Sequence, residues 1–170
     1  QVARNSGAAW LAAVDVLEPR LAKAKAFGAD LTVNAAQEDP VQAVLEATAG
    51  AGADRVIECI GTAKAIPSAE YPPQQAVRMA RNGGRVVLMG LGGQQSPLLW
   101  KEVALKELSI LGSRVTLGDF PRALDLMARG VFGPEGLVSG EFALEQTGEA
   151  FRLLEEDPEK YIKLLIRVES

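Results

Sequence analysis

Short apolar runs alternate with helix-like segments along the chain, and this alternation restricts its fold more than any other feature. Apolar runs of strand length are found at residues 10–14, 31–33, 54–58, 85–89, 108–111 and 163–168. Segments with helical periodicity lie between them, at residues 17–27, 40–48, 72–81, 120–129 and 144–155. Such an alternation is typical of a mainly parallel sheet with helices on both faces. The sequence therefore predicts a doubly wound α/β fold.

Prolines, glycines and polar capping residues mark the ends of the predicted helices. Three prolines stand in first turns, where a missing N–H costs no hydrogen bond: Pro40, Pro72 and Pro121. Asp39 is the expected N-cap of the second helix, and Gly118 or Asp119 that of the fourth. Gly28 is the expected stop of the first helix. The glycines at 50–52 and 83–84 predict turns from helix to strand.

The segment 62–73 does not fit this scheme. It contains three prolines and is longer than the usual connection of about two to six residues. We expect a short helix or a mobile flap there.

Length and charge exclude several classes of protein. A chain of 170 residues with 48% hydrophobic residues is expected to form one domain, spanning residues 1–170, with a sizeable core. The net charge of −4 argues against a nucleic-acid partner or a polybasic membrane surface. No apolar run approaches the roughly 18 residues of a transmembrane helix, so no membrane partner is expected.

Two residue counts limit the chemistry of the chain. The sequence has no histidine, which excludes Ser-His triads and histidine-based zinc sites. Its one cysteine, Cys59, excludes an internal disulfide and any zinc site built from several cysteines. We expect no metal site in this chain, and a reducing cytoplasm as its location.

The chain opens as if within an element. Residues 1–6 read as the end of a helix that stops at Ser6 and Gly7, and no initiator methionine precedes them. This pattern predicts a fragment or a processed chain.

Asp15 follows an apolar run and precedes a helix-like segment. An acid at the carboxyl end of the second strand of a dinucleotide-binding fold accepts hydrogen bonds from the adenosine ribose. The other interpretation is that Asp15 only begins a helical turn. The residues around it do not decide between these two roles.

Five stretches in the same order resemble the medium-chain, zinc-type alcohol dehydrogenases. The first contains Asp15 and Arg20 and continues through AKAFGAD at 24–30 to Val33 and Asn34. The others are ADRVIECIG at 53–61, GGRVVLMGL at 83–91, KELSILGS at 106–113 and YIK at 161–163. Each stretch alone is a weak signal, but five with family-like spacing are a strong one. The resemblance covers nearly the whole chain and implies the family's Rossmann-like, cofactor-binding domain.

The resemblance also implies that parts of the family's enzyme precede this chain. In the family, the first strand and its G-x-G-x-x-G turn come before the position that corresponds to Gln1. The zinc ligands and the proton relay lie further upstream, in a catalytic domain absent here. We therefore expect a Rossmann-like domain that is incomplete at its N-terminal strand. The glycines at 90–93 are expected to let the nicotinamide side approach closely, not to cradle phosphate.

The resemblance implies NAD as cofactor and gives roles to eleven residues. Asp15 would hold the adenosine ribose and repel the 2′-phosphate of NADP, and Arg20 would lie along the adenine. Eight further candidates close or follow predicted strands and would lie near the ribose, the nicotinamide or a phosphate: Cys59, Ile60, Gly61, Met89, Gly90, Leu91, Ser113 and Arg114. Lys163, at the start of the predicted strand 163–168, would lie near the pyrophosphate. Other interpretations stay open, namely a solvated Arg20, a small buried Cys59, an outward-pointing Arg114 and a strand lysine at 163 whose head reaches solvent. Glu58 is expected to be a strand-end residue satisfied by backbone groups or by Arg55.

Three functions follow from these patterns. The first is the NAD-binding part of a zinc-type alcohol dehydrogenase, which moves a hydride between an alcohol and a carbonyl compound and is inactive alone. The second is a non-catalytic Rossmann-like module with weak or no nucleotide binding. The third, an S-adenosylmethionine-dependent methyltransferase, is disfavoured by the glycine turn at 83–84. By resemblance, the edge strand 108–111 would pair with its copy in a homodimer, with Leu98, Leu99 and Trp100 adding apolar area.

Overall fold

Strands and helices alternate in the computed structural model, which describes residues 1–61, 70–92, 97–114 and 118–168. The strands are β1 Ala12–Asp15, β2 Leu31–Asn34, β3 Ala53–Glu58, β4 Ala80–Leu88, β5 Ser109–Gly112, β6 Val138–Ala143 and β7 Lys163–Arg167. The helices are α1 Val2–Asn5, α2 Glu18–Ala26, α3 Pro40–Ala47, α4 Pro72–Met79, α5 Trp100–Leu105, α6 Asp119–Ala128 and α7 Thr147–Glu156. A 3₁₀ turn, Leu144–Gln146, leads into α7. The predicted α/β class is confirmed.

Helix ends follow the predicted local chemistry. Asp39 caps α3 by accepting a hydrogen bond from the N–H of Val41 at 2.8 Å. Gly28 follows α2 with a positive φ of 99°, a conformation that glycine adopts without steric cost. Gly118, also with a positive φ, is the N-cap of α6 and has no side chain to cap it. The short helix α1 confirms the helical ending predicted for residues 1–6.

Three elements differ from the prediction. β6 and α5 were not predicted as regular elements, and the glycines at 83–84 lie inside β4 rather than in a turn. Ala80 and Arg85 of β4 pair with Ala53 and Arg55 of β3, so the residues between them form an irregularity in the strand. Most of the segment predicted as a short helix or flap, residues 62–69, lies outside the described residues.

The chain divides into two compact units, residues 1–32 with 118–170 and residues 33–117. In the second unit, β3, β4 and β5 form a parallel sheet in the order β3-β4-β5. Its buried centre consists of Ala76, Ala80 and Val86. Lys106 ties α4 to this sheet, because its Nζ donates to the carbonyls of Val77, Arg78 and Ala80 at 3.1, 2.8 and 3.0 Å.

The first unit contains a parallel pair of strands, β6 with β7, packed against α7. β1 pairs with β2. The division into units lies within β2, between residues 32 and 33. Arg4 joins α1 to two segments, the one that precedes β1 and the one that follows α2. Its guanidinium donates to the carbonyls of Ala8, Ala9 and Gly28, and it lies 2.6 Å from the carboxylate of Asp30.

In the described parts of the chain, no helix is both long and apolar enough to cross a membrane.

Candidate functional site

Asp15 ends β1, and its carboxylate organises the turn into α2. Its Oδ1 accepts hydrogen bonds from the N–H groups of Val16 and Leu17 at 2.7 and 3.0 Å. Its Oδ2 lies 3.9 Å from Nη1 of Arg20. The side chain is 29% exposed. Asp15 therefore begins the turn with one oxygen, and its other oxygen is directed toward an arginine at the surface of the unit.

Arg20 lies on α2 and carries a buried donor without a partner. Its Nε is inaccessible to solvent and has no hydrogen-bond partner among the described residues, while 41% of the side chain is exposed. Buried donors are nearly always paired, because an unpaired one costs the desolvation of the group. The Asp15–Arg20 pair thus offers an acceptor and an unsatisfied donor to a polar ligand.

The second unit brings three strand ends to one edge of its sheet. Because β3, β4 and β5 are parallel, with Glu58 opposite Leu88 and Leu88 opposite Gly112, their carboxyl ends lie side by side. We call the segments 58–61, 88–91 and 112–114 the carboxyl edge. In open α/β sheets, ligands bind outside the carboxyl ends of the strands.

Candidate residues of the second unit lie on this carboxyl edge. Cys59, Ile60 and Gly61 follow β3, Met89, Gly90 and Leu91 follow β4, and Ser113 and Arg114 follow β5. The N–H of Ser113 donates to the carbonyl of Leu88 at 2.9 Å, which joins the last two segments. Exposed apolar side chains project here from Ile60, Met89 and Leu91, with exposures of 43, 46 and 75%. The edge therefore combines backbone groups with an apolar surface.

Two of these segments touch backbone to backbone at glycines. A Cβ at Gly61 would lie 2.7 Å from the carbonyl carbon of Leu91, and a Cβ at Gly90 would overlap the nitrogen of Gly61. Gly61 also has a positive φ of 77°. Only glycine permits this approach at both positions.

Glu58 is a residue of this edge whose importance the sequence does not reveal. Its side chain is buried, and its Oε1 accepts hydrogen bonds from the N–H groups of Ile60 and Gly61 at 2.6 and 2.7 Å. The prediction that backbone groups satisfy Glu58 is confirmed. The alternative pairing with Arg55 is wrong, since Glu58 belongs to none of the ion pairs found among the described residues. The one sequence feature that could have indicated this role is an acid at a strand end, three residues before a glycine.

Cys59 is exposed, so its interpretation as a small buried hydrophobe is wrong. Partial desolvation and the adjacent Glu58 carboxylate raise the pKa of its thiol. A raised pKa makes a thiolate nucleophile unfavourable near neutral pH.

Lys163, in the first unit, is exposed at the start of β7, where it lies opposite Val138 of β6. It begins β7, at the residue where the sequence predicts a strand to start.

In the described segments, no three histidine, cysteine, aspartate or glutamate side chains group closely enough to hold a metal ion.

Comparison with known proteins assigns the family. Residues 1–129 match the family model described as zinc-binding dehydrogenase. Sorbitol dehydrogenase of Macaca fascicularis is 33% identical over 152 residues, which is 88% of this chain and 41% of that protein. The chain thus spans less than half the length of the relatives it matches.

Solved structures agree with this match. 2R,3R-butanediol dehydrogenase from Bacillus subtilis superposes with a TM-score of 0.84 at 25% identity, covering 98% of this chain and 46% of that one. RspB from Escherichia coli, described as a short chain alcohol dehydrogenase complexed with NADH, gives a TM-score of 0.81 at 27% identity, covering 98% and 47%. The predicted Rossmann-like fold is confirmed, and the chain belongs to the zinc-binding dehydrogenase family.

Proposed function

We propose that this chain is the NAD-binding part of a zinc-type alcohol dehydrogenase. The observation that carries the proposal is the Asp15–Arg20 pair, an acceptor beside a buried donor without a partner, in a chain of this family. When bound, NAD supplies the hydride chemistry that interconverts an alcohol and an aldehyde or ketone. The residues of the chain bind and orient it.

Asp15 and Arg20 would bind the adenosine half of the cofactor. The Oδ2 of Asp15 is the acceptor proposed for a ribose hydroxyl, because Oδ1 is already engaged by two N–H groups. A 2′-phosphate would bring negative charge beside this carboxylate, which favours NAD over NADP. The guanidinium of Arg20 would lie along the adenine, with its Nε satisfied by a ligand acceptor.

The carboxyl edge of the second unit would bind the nicotinamide half. Ile60, Met89 and Leu91 offer it apolar contact, and the backbone of Gly61 and Gly90 offers close approach. Candidates with supporting roles beside the cofactor are Cys59, Ser113, Arg114 and Lys163, the last near the pyrophosphate.

The zinc of the family does not fit the residues of this chain. The sequence has no histidine, and the described part contains no group of three suitable ligands. We therefore propose that the chain alone does not catalyse hydride transfer.

NADH titration of the 170-residue chain, followed by fluorescence or calorimetry, tests the proposal. We expect saturable binding, weakened about tenfold or more in Asp15→Ala, as for loss of a hydrogen bond to a charged group. NADPH should bind the unmodified chain more weakly than NADH, and Asp15→Ala should narrow this difference. Asp125→Ala, an exposed carboxylate of the same unit, is the matched control. If the unmodified chain does not bind NADH at millimolar concentration, the non-catalytic module becomes the better interpretation.

We also propose a homodimer formed through the edge strand at 108–111. β5 is the last strand of its described sheet, and Trp100 nearby is 71% exposed. Light scattering should give a dimer at micromolar concentration, and Leu111→Lys should yield monomers. Leu165→Lys, equally exposed in the other unit, is the control. A monomer in the unmodified chain would refute this assembly.

The single cysteine is consistent with a cytoplasmic protein, which is our proposal for its location.

A further inference from the structure

We propose that Glu58 is a positioning residue, which holds the nicotinamide-side segments of the carboxyl edge in their binding conformation. This inference rests on the function proposed above. It concerns a residue that would act through the backbone around it rather than by touching the cofactor.

Four hydrogen bonds meet at Glu58. Its carboxylate Oε1 accepts from the N–H groups of Ile60 and Gly61, and its main-chain carbonyl accepts from those of Met89 and Gly90 at 2.8 and 3.0 Å. The side-chain pair fixes the segment after β3, and the main-chain pair fixes the segment after β4. One residue therefore sets the conformation of both segments.

The acceptor in the first pair is a carboxylate held out of solvent, with the residue only 5% exposed. Hydrogen bonds from N–H groups to an ionised acceptor are about twice as strong as bonds between neutral groups. Gly61 is itself buried, so loss of the carboxylate would leave its N–H without a partner. The segment would then be expected to rearrange rather than keep its form.

The glycine contact transmits such a rearrangement. Gly61 and Gly90 are so close that neither segment can shift toward the other without a backbone collision. Movement of residues 60–61 toward this contact therefore displaces residues 89–91, which include exposed apolar side chains. None of these hydrogen bonds involves Asp15, so we expect the loss of Glu58 to act on this edge.

The test therefore compares the binding of two ligands that differ only at the nicotinamide. ADP-ribose is the cofactor without its nicotinamide ring, whereas NADH contains that ring. We expect Glu58→Ala to weaken NADH binding about tenfold and to leave ADP-ribose binding unchanged. Glu58→Gln keeps a side-chain oxygen that can accept hydrogen bonds from both N–H groups. This variant should therefore keep most of the NADH affinity that Glu58→Ala loses. Glu38→Ala, an exposed carboxylate of the same unit, should change neither affinity.

Other outcomes separate this inference from the proposed function. Equal weakening of NADH and ADP-ribose would show general destabilisation and overturn the positioning role, as would unchanged binding of both. Absence of all binding in the unmodified chain would instead refute the proposed function.

A measurement without ligand keeps the inference testable when binding is weak. The amide protons of Ile60 and Gly61 should lose protection from hydrogen exchange in Glu58→Ala and keep it in Glu58→Gln. Unchanged protection in Glu58→Ala would overturn the inference.

Discussion

Substitution of Gly90 by alanine gives the most direct test of the close contact at the carboxyl edge. The added Cβ would overlap the nitrogen of Gly61 and lie 2.6 Å from that of Ile60. Both obstacles are backbone atoms, so no side-chain rotation relieves them. The segments must separate, at the expense of the hydrogen bonds from Met89 and Gly90 to the carbonyl of Glu58.

The size of the effect follows from these two contributions. Overpacking of a well-packed site costs about 1–3 kcal/mol, and each lost hydrogen bond adds about 0.5–1.5 kcal/mol. With two such bonds lost, we expect Gly90→Ala to lower the free energy of unfolding by about 2–6 kcal/mol. In urea this corresponds to a midpoint about 1–3 M lower, if the slope is about 2 kcal/mol per molar urea.

Urea unfolding followed by circular dichroism measures this difference, with Gly112→Ala as the matched control. Gly112 lies on the same edge, has no atom within 4 Å of an added Cβ and has no positive φ. Alanine there should change the stability by about 1 kcal/mol or less. Equal midpoints for the two variants would refute the close backbone contact.

Three further predictions concern stability and reactivity. Lys106→Met should destabilise the chain by about 1–2 kcal/mol, because three carbonyls lose a charged donor, whereas exposed Lys101→Met should be neutral in the same thermal unfolding assay. The hydrogen bond from Arg4 lowers the pKa of Asp30, so its stabilising contribution is present above about pH 4 and is lost at lower pH. In Asp30→Asn, the free energy of unfolding should therefore fall less steeply as the pH drops below about 4. The same steepness as in the unmodified chain, measured by urea titrations at several pH values, would contradict this. The raised pKa of Cys59 predicts slow alkylation by iodoacetamide at pH 8 that accelerates in urea, and equal rates in both conditions would be evidence against it.

Strong local signals explain which parts of the fold the sequence predicts. α3 begins after Asp39, with Pro40 in its first turn, and both residues favour a helix start whatever surrounds them. β3 is an apolar run that ends at an acid and a glycine, so its end at Glu58 was predicted at the correct residue.

Weak local signals explain the elements that were missed. β6 contains Gly140 and Glu141, both unfavourable in strands, and it is stabilised by pairing with β7, a partner more than twenty residues away. α5 has only six residues, fewer than helical periodicity needs to show itself. In both cases the decisive interactions are tertiary.

The candidate site shows the same limit. The sequence places Asp15 and eight further candidates at or just after the ends of predicted strands, Lys163 at the start of one and Arg20 on a helix, and the structure has them in these positions. The role of Glu58 depends on two N–H groups that turn back toward its carboxylate and on glycines from another strand. The composition and the spacing of residues do not predict such a turn.

The anchoring of α1 by Arg4 has a consequence for proteolysis. A helix of four residues is too short to persist alone and would ordinarily fray. Here its arginine is bound to the carbonyls of Ala8, Ala9 and Gly28 and to Asp30. Trypsin needs that side chain for its specificity pocket, so the peptide bond after Arg4 becomes a substrate only when this anchor opens. The rate of cleavage at Arg4 would thus report how often the first turn of the chain detaches.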